Sequence, residues 1–189
     1  AAGRKIDDQI IDAFFGSAST GVNGGTTVTF ANDGGNTVAV DESASGDVNH
    51  TVAKLRRARR FLMAAEVDLE TDELWNALNA RAHDSLLQEA QVVSTDFNEK
   101  PVLVEGKVER FLGFRFIHSE RLNTDSNSDR QLPAWAKSGM HLGIWEDMVT
   151  EVSRRNDLTG IPWQAYLKLS IGATRLEGAK TVEILADES

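Results

Sequence analysis

The hydrophobic period changes partway along this chain, and that change limits the fold more than any single residue does. Over residues 3–15, G-R-K-I-D-D-Q-I-I-D-A-F-F, the apolar residues Ile6, Ile10, Ala13 and Phe14 recur at helical spacing, and Gly16 follows as a stop. Toward the other end Trp163, Ala165, Leu167, Leu169 and Ile171 alternate strictly with Gln164, Tyr166, Lys168 and Ser170, which is the period of a strand. A chain that is mostly helical in its first third and mostly extended from Val102 onward is expected to be an α+β protein.

The stretches between follow the same logic. Val52, Leu55, Ala58, Leu62 and Ala65 form the apolar stripe of a second helix, with Lys54, Arg56, Arg57, Arg59 and Arg60 on its remaining faces. Thr71 is positioned to cap a third helix in which Leu74, Leu78, Ala82 and Leu86 recur every four residues. Residues 17–47 hold T-T-V-T-F and T-V-A-V between Gly- and Asn-rich turns that tolerate positive φ, predicting an exposed β-hairpin or arm with a mobile tip. Leu112, Phe114 and Phe116 share one parity, as do Met140, Leu142 and Ile144. N-T-D-S-N-S-D-R at 123–130 is a polar loop, and R-N-D-L-T-G-I-P and L-E-G-A-K have the length of strand connections. The chain opens Ala1-Ala2-Gly3-Arg4-Lys5 without an initiator methionine and is helical by Ile6, which suggests that something precedes it.

Composition excludes several chemistries. With no cysteine, disulfides, thiolate zinc sites and cysteine nucleophiles are impossible. A net charge of −9 argues against a protein whose main task is to wrap a polyanion. No run approaches the ~20 apolar residues that span a bilayer, so no membrane partner is expected.

The remaining motifs are weighed against plainer readings. His118-Ser119-Glu120 fits the H-x-E half of a zinc deaminase signature but lacks the thiolates, and residues two apart on a strand simply share a face. Asp7, Asp8 and Asp12 resemble a magnesium-diphosphate helix without the second acidic helix, and read more plainly as a polar face. His50, His83, His118 and His141 are scattered, and no G-x-S-x-G elbow frames a nucleophile. The tryptophans 75, 135, 145 and 163 read as core or interface anchors. No catalytic group, metal site or cofactor is expected. The basic run Lys54 to Arg60, five cations in seven residues, suits carboxylates of a neighbouring subunit better than phosphate.

The order of the phrases points further. A helix G-R-K-I-D-D-Q-I-I-D-A-F-F-G leads into a Gly-rich β-arm and a helix with A-K-L-R-R-A. V-L-V-E-G-K-V-E-R-F-L-G-F-R-F-I-H-S-E-R-L follows, and Y-L-K-L-S-I-G-A-T-R-L-E-G-A-K-T-V-E-I-L closes the chain. From Gly3 to Ile184 this resembles the major capsid protein of tailed bacteriophages. The resemblance implies an HK97-like capsid fold. Residues 1–67 would supply the spine helix, the Gly-rich arm and a second helix of the peripheral domain, 68–145 the mixed axial domain, and 146–189 the closing strands of the peripheral sheet. The family's N-arm and extended loop precede the spine helix and are expected to be absent from this chain.

Function follows as an expectation: a non-enzymatic protein that self-assembles, through pentamers and hexamers, into the icosahedral head around double-stranded DNA. Arg56, Arg57, Arg59 and Arg60 are the expected intersubunit contacts, and the 17–47 arm is expected to touch a neighbour. Scaffold, portal or decoration proteins are further partners, with packaged DNA met only weakly at the inner surface. The protein would be made in the host cytoplasm and reside in the virion. The rival reading is a metal-dependent hydrolase using His118 and Glu120.

Overall fold

The computed structural model describes residues 2–89, 92 and 108–188. In chain order the elements are α1 (Ala2–Phe15), β1 (Ala18–Thr20), β2 (Thr26–Val28), β3 (Asn36–Val38), α2 (Val52–Ala64), β4 (Leu74–Leu78) and α3 (Ala80–Gln88). They continue with β5 (Arg110–Phe111), β6 (Phe114–His118), β7 (Arg130–Ala136), β8 (Met140–Arg154), β9 (Trp163–Arg175) and β10 (Thr181–Ala186). The expected change from helix to strand is present. Residues 102–107, where the extended half and the V-E-G-K of the longer phrase were expected to begin, lie outside the described residues.

A six-stranded mixed sheet in the order β3-β10-β7-β4-β6-β5 organises the core. β3 runs parallel to β10 and β4 parallel to β6, while the other neighbours are antiparallel. One face shows Leu74, Leu78, Phe114, Leu132, Ala134, Val182 and Ile184, and it packs with Leu55, Ala58 and Leu62 of α2 and Ala82 and Leu86 of α3. The other face shows Ala77, Ile117, Pro133 and Trp135, and receives Ile10, Ile11 and Phe14 of α1. The rings of Phe14 and Trp135 meet edge to face at 6.1 Å. The sheet therefore lies between helices on both sides, and it draws strands from each of the stretches 1–67, 68–145 and 146–189.

Three local expectations need correction. The third helix does not begin at Thr71: Leu74–Leu78 is the central strand β4, and α3 starts only after Asn79, whose side chain accepts the Ala82 N–H at 3.0 Å. Leu74 and Leu78 lie four apart, a spacing that a strand and a helix share, and burial of both faces of L-W-N-A-L removes the polar alternation that marks a strand. Nor do T-T-V-T-F and T-V-A-V pair with each other. T-T-V turns back on A-S-T as the β1–β2 hairpin, and β3 departs to the sheet edge, where Val38 is fully buried. Finally, Leu112 does not share a strand with Phe114 and Phe116. Leu112 (φ 49°) and Gly113 (φ 84°) are the two-residue turn between β5 and β6, both at the positive φ that a primed turn requires.

Pro133 sits in an interior strand, where a missing N–H is costly. The β4–β7 ladder stops at Asn76 and Ala134, one residue short of it, and the Asn76 side-chain amide donates to the Pro133 carbonyl at 3.2 Å.

Among the described residues the long strands β8 and β9 pair only with each other, as a ribbon that leaves the sheet. Its tip is closed by the Arg155 N–H donating to the Pro162 carbonyl at 2.9 Å. Two irregularities, between Ile144 and Glu146 and between Glu146 and Val149, add residues to β8 and break its side-chain parity. The ribbon is joined to the rest where β9 meets α1 and where Arg175 ends it. Arg175 is buried, and one of its nitrogens donates to the carbonyls of Phe14 and Gly16, both at 2.5 Å, at the C-terminus of α1. Its Nε reaches Asp33 at 3.3 Å. One guanidinium thus satisfies orphan helix carbonyls and ties ribbon, helix and loop together.

Candidate assembly surfaces

The basic run on α2 divides by the geometry of the helix. Lys54 faces inward, fully buried, and donates from Nζ to the carbonyls of Val48 at 2.6 Å and Leu185 at 2.7 Å. Burial disfavours its charged form and lowers its pKa to about 8, against the pull of Asp129, Asp187, Asp41 and Asp47. Sequence pattern assigned it to a polar face; only its place one turn before Ala58, between buried neighbours Val52 and Leu55, hinted otherwise.

Arg56, Arg57, Arg59 and Arg60 do share one surface. With Glu42, Met63 and Leu112 they line a shallow depression of about 370 Å³. Arg57 lies 4.0 Å from Glu42 and stacks over Phe61 at 4.7 Å, and Arg59 donates to the Leu112 carbonyl at 3.2 Å. Arg56 and Arg60 are exposed and have no partner among the described residues.

A second surface was only partly legible. Trp145 is 90% exposed and Trp163 65% exposed on the ribbon, beside exposed Met148, Val149 and Val152, and Leu158 and Ile161 at its tip. A two-stranded ribbon with apolar side chains bare on both faces and two open edges is marginal alone in water. The alternation in β9 gave the strand. The bulges at Trp145 and Met148 left no strand signal in the sequence, because Trp145, Met148 and Val149 recur at i, i+3 and i+4, the helical period, inside a strand.

The 17–47 arm is less free than its composition suggested. Phe30 packs against Phe14 at 5.7 Å, Asp33 holds Arg175, and a Cβ at Gly178 would run into the Asp33 carbonyl. The β1–β2 hairpin keeps an open tip, where Val22 is fully exposed.

The candidate catalytic groups are otherwise engaged. His118 Nε2 lies 2.9 Å from Glu120 Oε1, but that same oxygen accepts the Ala80 N–H at 2.6 Å and so caps α3. His50 is buried, and His83 Nε2 accepts the Val108 N–H at 3.1 Å. Among the described residues no group of three or more His, Asp or Glu is arranged to hold a metal ion, so the hydrolase reading lacks a third ligand. Asp8 pairs with Arg121, whose second nitrogen donates at 2.7 Å, and this hydrogen bond lowers the Asp8 pKa. Arg115 is held by Glu73 at 2.7 Å. Arg121, Arg115 and Glu120 are therefore in intrachain contacts.

The phage capsid protein family model matches residues 1–188. The chain belongs to the phage capsid protein family. Its fold is similar to solved structures of that kind. The capsid of the cyanophage P-SCSP1u has a TM-score of 0.65 at 15% identity, covering 100% of this chain and 63% of that one. The cyanophage Pam1 capsid has a TM-score of 0.64 at 15% identity, covering 100% and 67%. A Mycobacterium phage Che8 chain has a TM-score of 0.60 at 18% identity, covering 80% and 53%. The chain thus spans between about half and two thirds of the length of these phage chains. No curated protein matches it in sequence. At such identities the likeness is one of fold, and it agrees with the α+β capsid fold that the order of the phrases implied.

Proposed function

We propose that the protein is a structural, non-enzymatic major capsid protein that self-assembles, through pentamers and hexamers, into an icosahedral head around double-stranded DNA. The observation that carries this reading is the β8–β9 ribbon, which leaves Trp145, Met148, Val152 and Trp163 in water and makes sense when a neighbour covers them. Family membership over nearly the whole chain supports the same role. In it α1 serves as spine helix, residues 1–67 and 146–189 as peripheral domain and 68–145 as axial domain. The net charge of −9 suits a wall that meets packaged DNA only weakly. Scaffold, portal or decoration proteins are further partners of such a shell, and the virion, after synthesis in the host cytoplasm, is its place.

Sedimentation velocity on the purified full-length protein tests this. Large, discrete assemblies with little intermediate material are expected. A monomer that binds zinc stoichiometrically and loses a hydrolytic activity with chelator contradicts it.

A further inference from the structure

Two surfaces described above are opposite in charge and are not joined in the chain that carries them. The α2 depression gathers four guanidinium groups around one carboxylate, Glu42, with exposed Met63 at its side. The ribbon stretch 145–151, W-E-D-M-V-T-E, presents the carboxylates of Glu146, Asp147 and Glu151 beside Trp145 and Val149. Glu146 has a partner in Lys168 at 2.7 Å, and among the described residues Asp147 accepts only the Met148 N–H at 2.7 Å. Glu151 has no cation beside it among the described residues.

Resting on the capsid reading, we propose that stretch 145–151 of β8 in one copy docks on the arginine face of α2 in a neighbouring copy, with Asp147 and Glu151 meeting Arg56 and Arg60. Each surface has what an interface core and rim require: large exposed side chains flanked by charges that lack partners at home. Guanidinium groups also stack on indole, so Trp145 and the arginine face suit each other beyond simple charge. The two surfaces are different parts of the chain, so the contact is heterologous and repeats from copy to copy, which closes into rings when the rotation allows. The net charge of −9 works against a nucleic-acid polyanion as the occupant.

The test is a charge exchange read by sedimentation, with thermal unfolding of each variant as a check on folding. R56E/R60E and D147K/E151K each lower the yield of assembled particles by about tenfold or more, and the protein carrying all four substitutions recovers it. All four side chains are exposed, so the unfolding temperature of each variant stays near the wild-type value. Wild-type assembly with both paired variants unaffected, or a fourfold variant that fails to recover, overturns the docking and leaves the capsid reading standing. Loss of binding to a short DNA duplex in R56E/R60E with assembly intact makes this a nucleic-acid face and also overturns it. A wild-type protein that forms no assemblies overturns both.

Discussion

Lys54 stands in a run of five cations and behaves unlike the other four. Its two carbonyl partners, Val48 and Leu185, belong to the loop before α2 and to β10, so it joins a loop to a strand from inside. Lys54→Met keeps the volume but strips both carbonyls of a charged donor, and urea unfolding at pH 7 should register a loss of about 2 kcal/mol. Because burial lowers its pKa to about 8 from 10.5, the unfolded chain binds more protons here between those values. This group's contribution to stability therefore rises with pH across that window. His50 acts at the acid end. It is buried beside the Lys54 ammonium, and its pKa falls from 6.5 to about 3, first by burial and then by that charge, against a smaller opposing pull from the Asn76 side chain. The unfolded state gains the proton first, so stability falls as pH drops below 6.5, by roughly 1 kcal/mol per unit until about pH 3. Unfolding midpoints at pH 7, 5 and 4 should show this slope in the wild type and a shallower one in His50→Gln. Arg175→Met frees three elements at once and should cost about 3 kcal/mol, with Arg175→Lys recovering only part because an ammonium lacks the guanidinium fork.

At the scale of elements, what the sequence made legible depended on whether an element has one wet face. α1 and α2 do, and their stripes were readable to within a residue: Ile11 rather than Ala13 is the buried partner of Phe14. β9 also alternates cleanly. β4 has no wet face, so Leu74 and Leu78 passed for helix positions until the Asn79 cap marked the true start of α3. Asn79→Ala should cost about 1 kcal/mol in thermal or chemical unfolding. The pairing of β3 with β10, some 146 residues away in the Thr37–Glu183 hydrogen bond of 2.9 Å, leaves no local signal, and so the Gly-rich arm seemed freer than it is. Of the candidate assembly surfaces, the arginine face was legible from charge alone. Trp145 was seen as an anchor, but its exposure depends on bulges that no pattern announced. Trp145→Ser should leave unfolding free energy within about 0.5 kcal/mol of the wild type while reducing assembly, because the side chain is 90% exposed in the isolated chain.

Over the whole molecule, rigid and open parts are separated. Helices on both faces cover the six-stranded sheet, and buried Arg175, Lys54 and the Arg130–Glu188 pair at 2.7 Å fasten its loops. The ribbon, the arginine face and the β1–β2 tip carry most of the large exposed apolar side chains among the described residues. Family membership rests on the match over residues 1–188 and the earlier resemblance on the order of phrases along the chain, not on any site. Electron microscopy of the concentrated full-length protein tests the central claim most directly. Closed shells of uniform diameter, built from rings of five and six, are the predicted result; a field of dispersed monomers at every concentration and salt condition would contradict it.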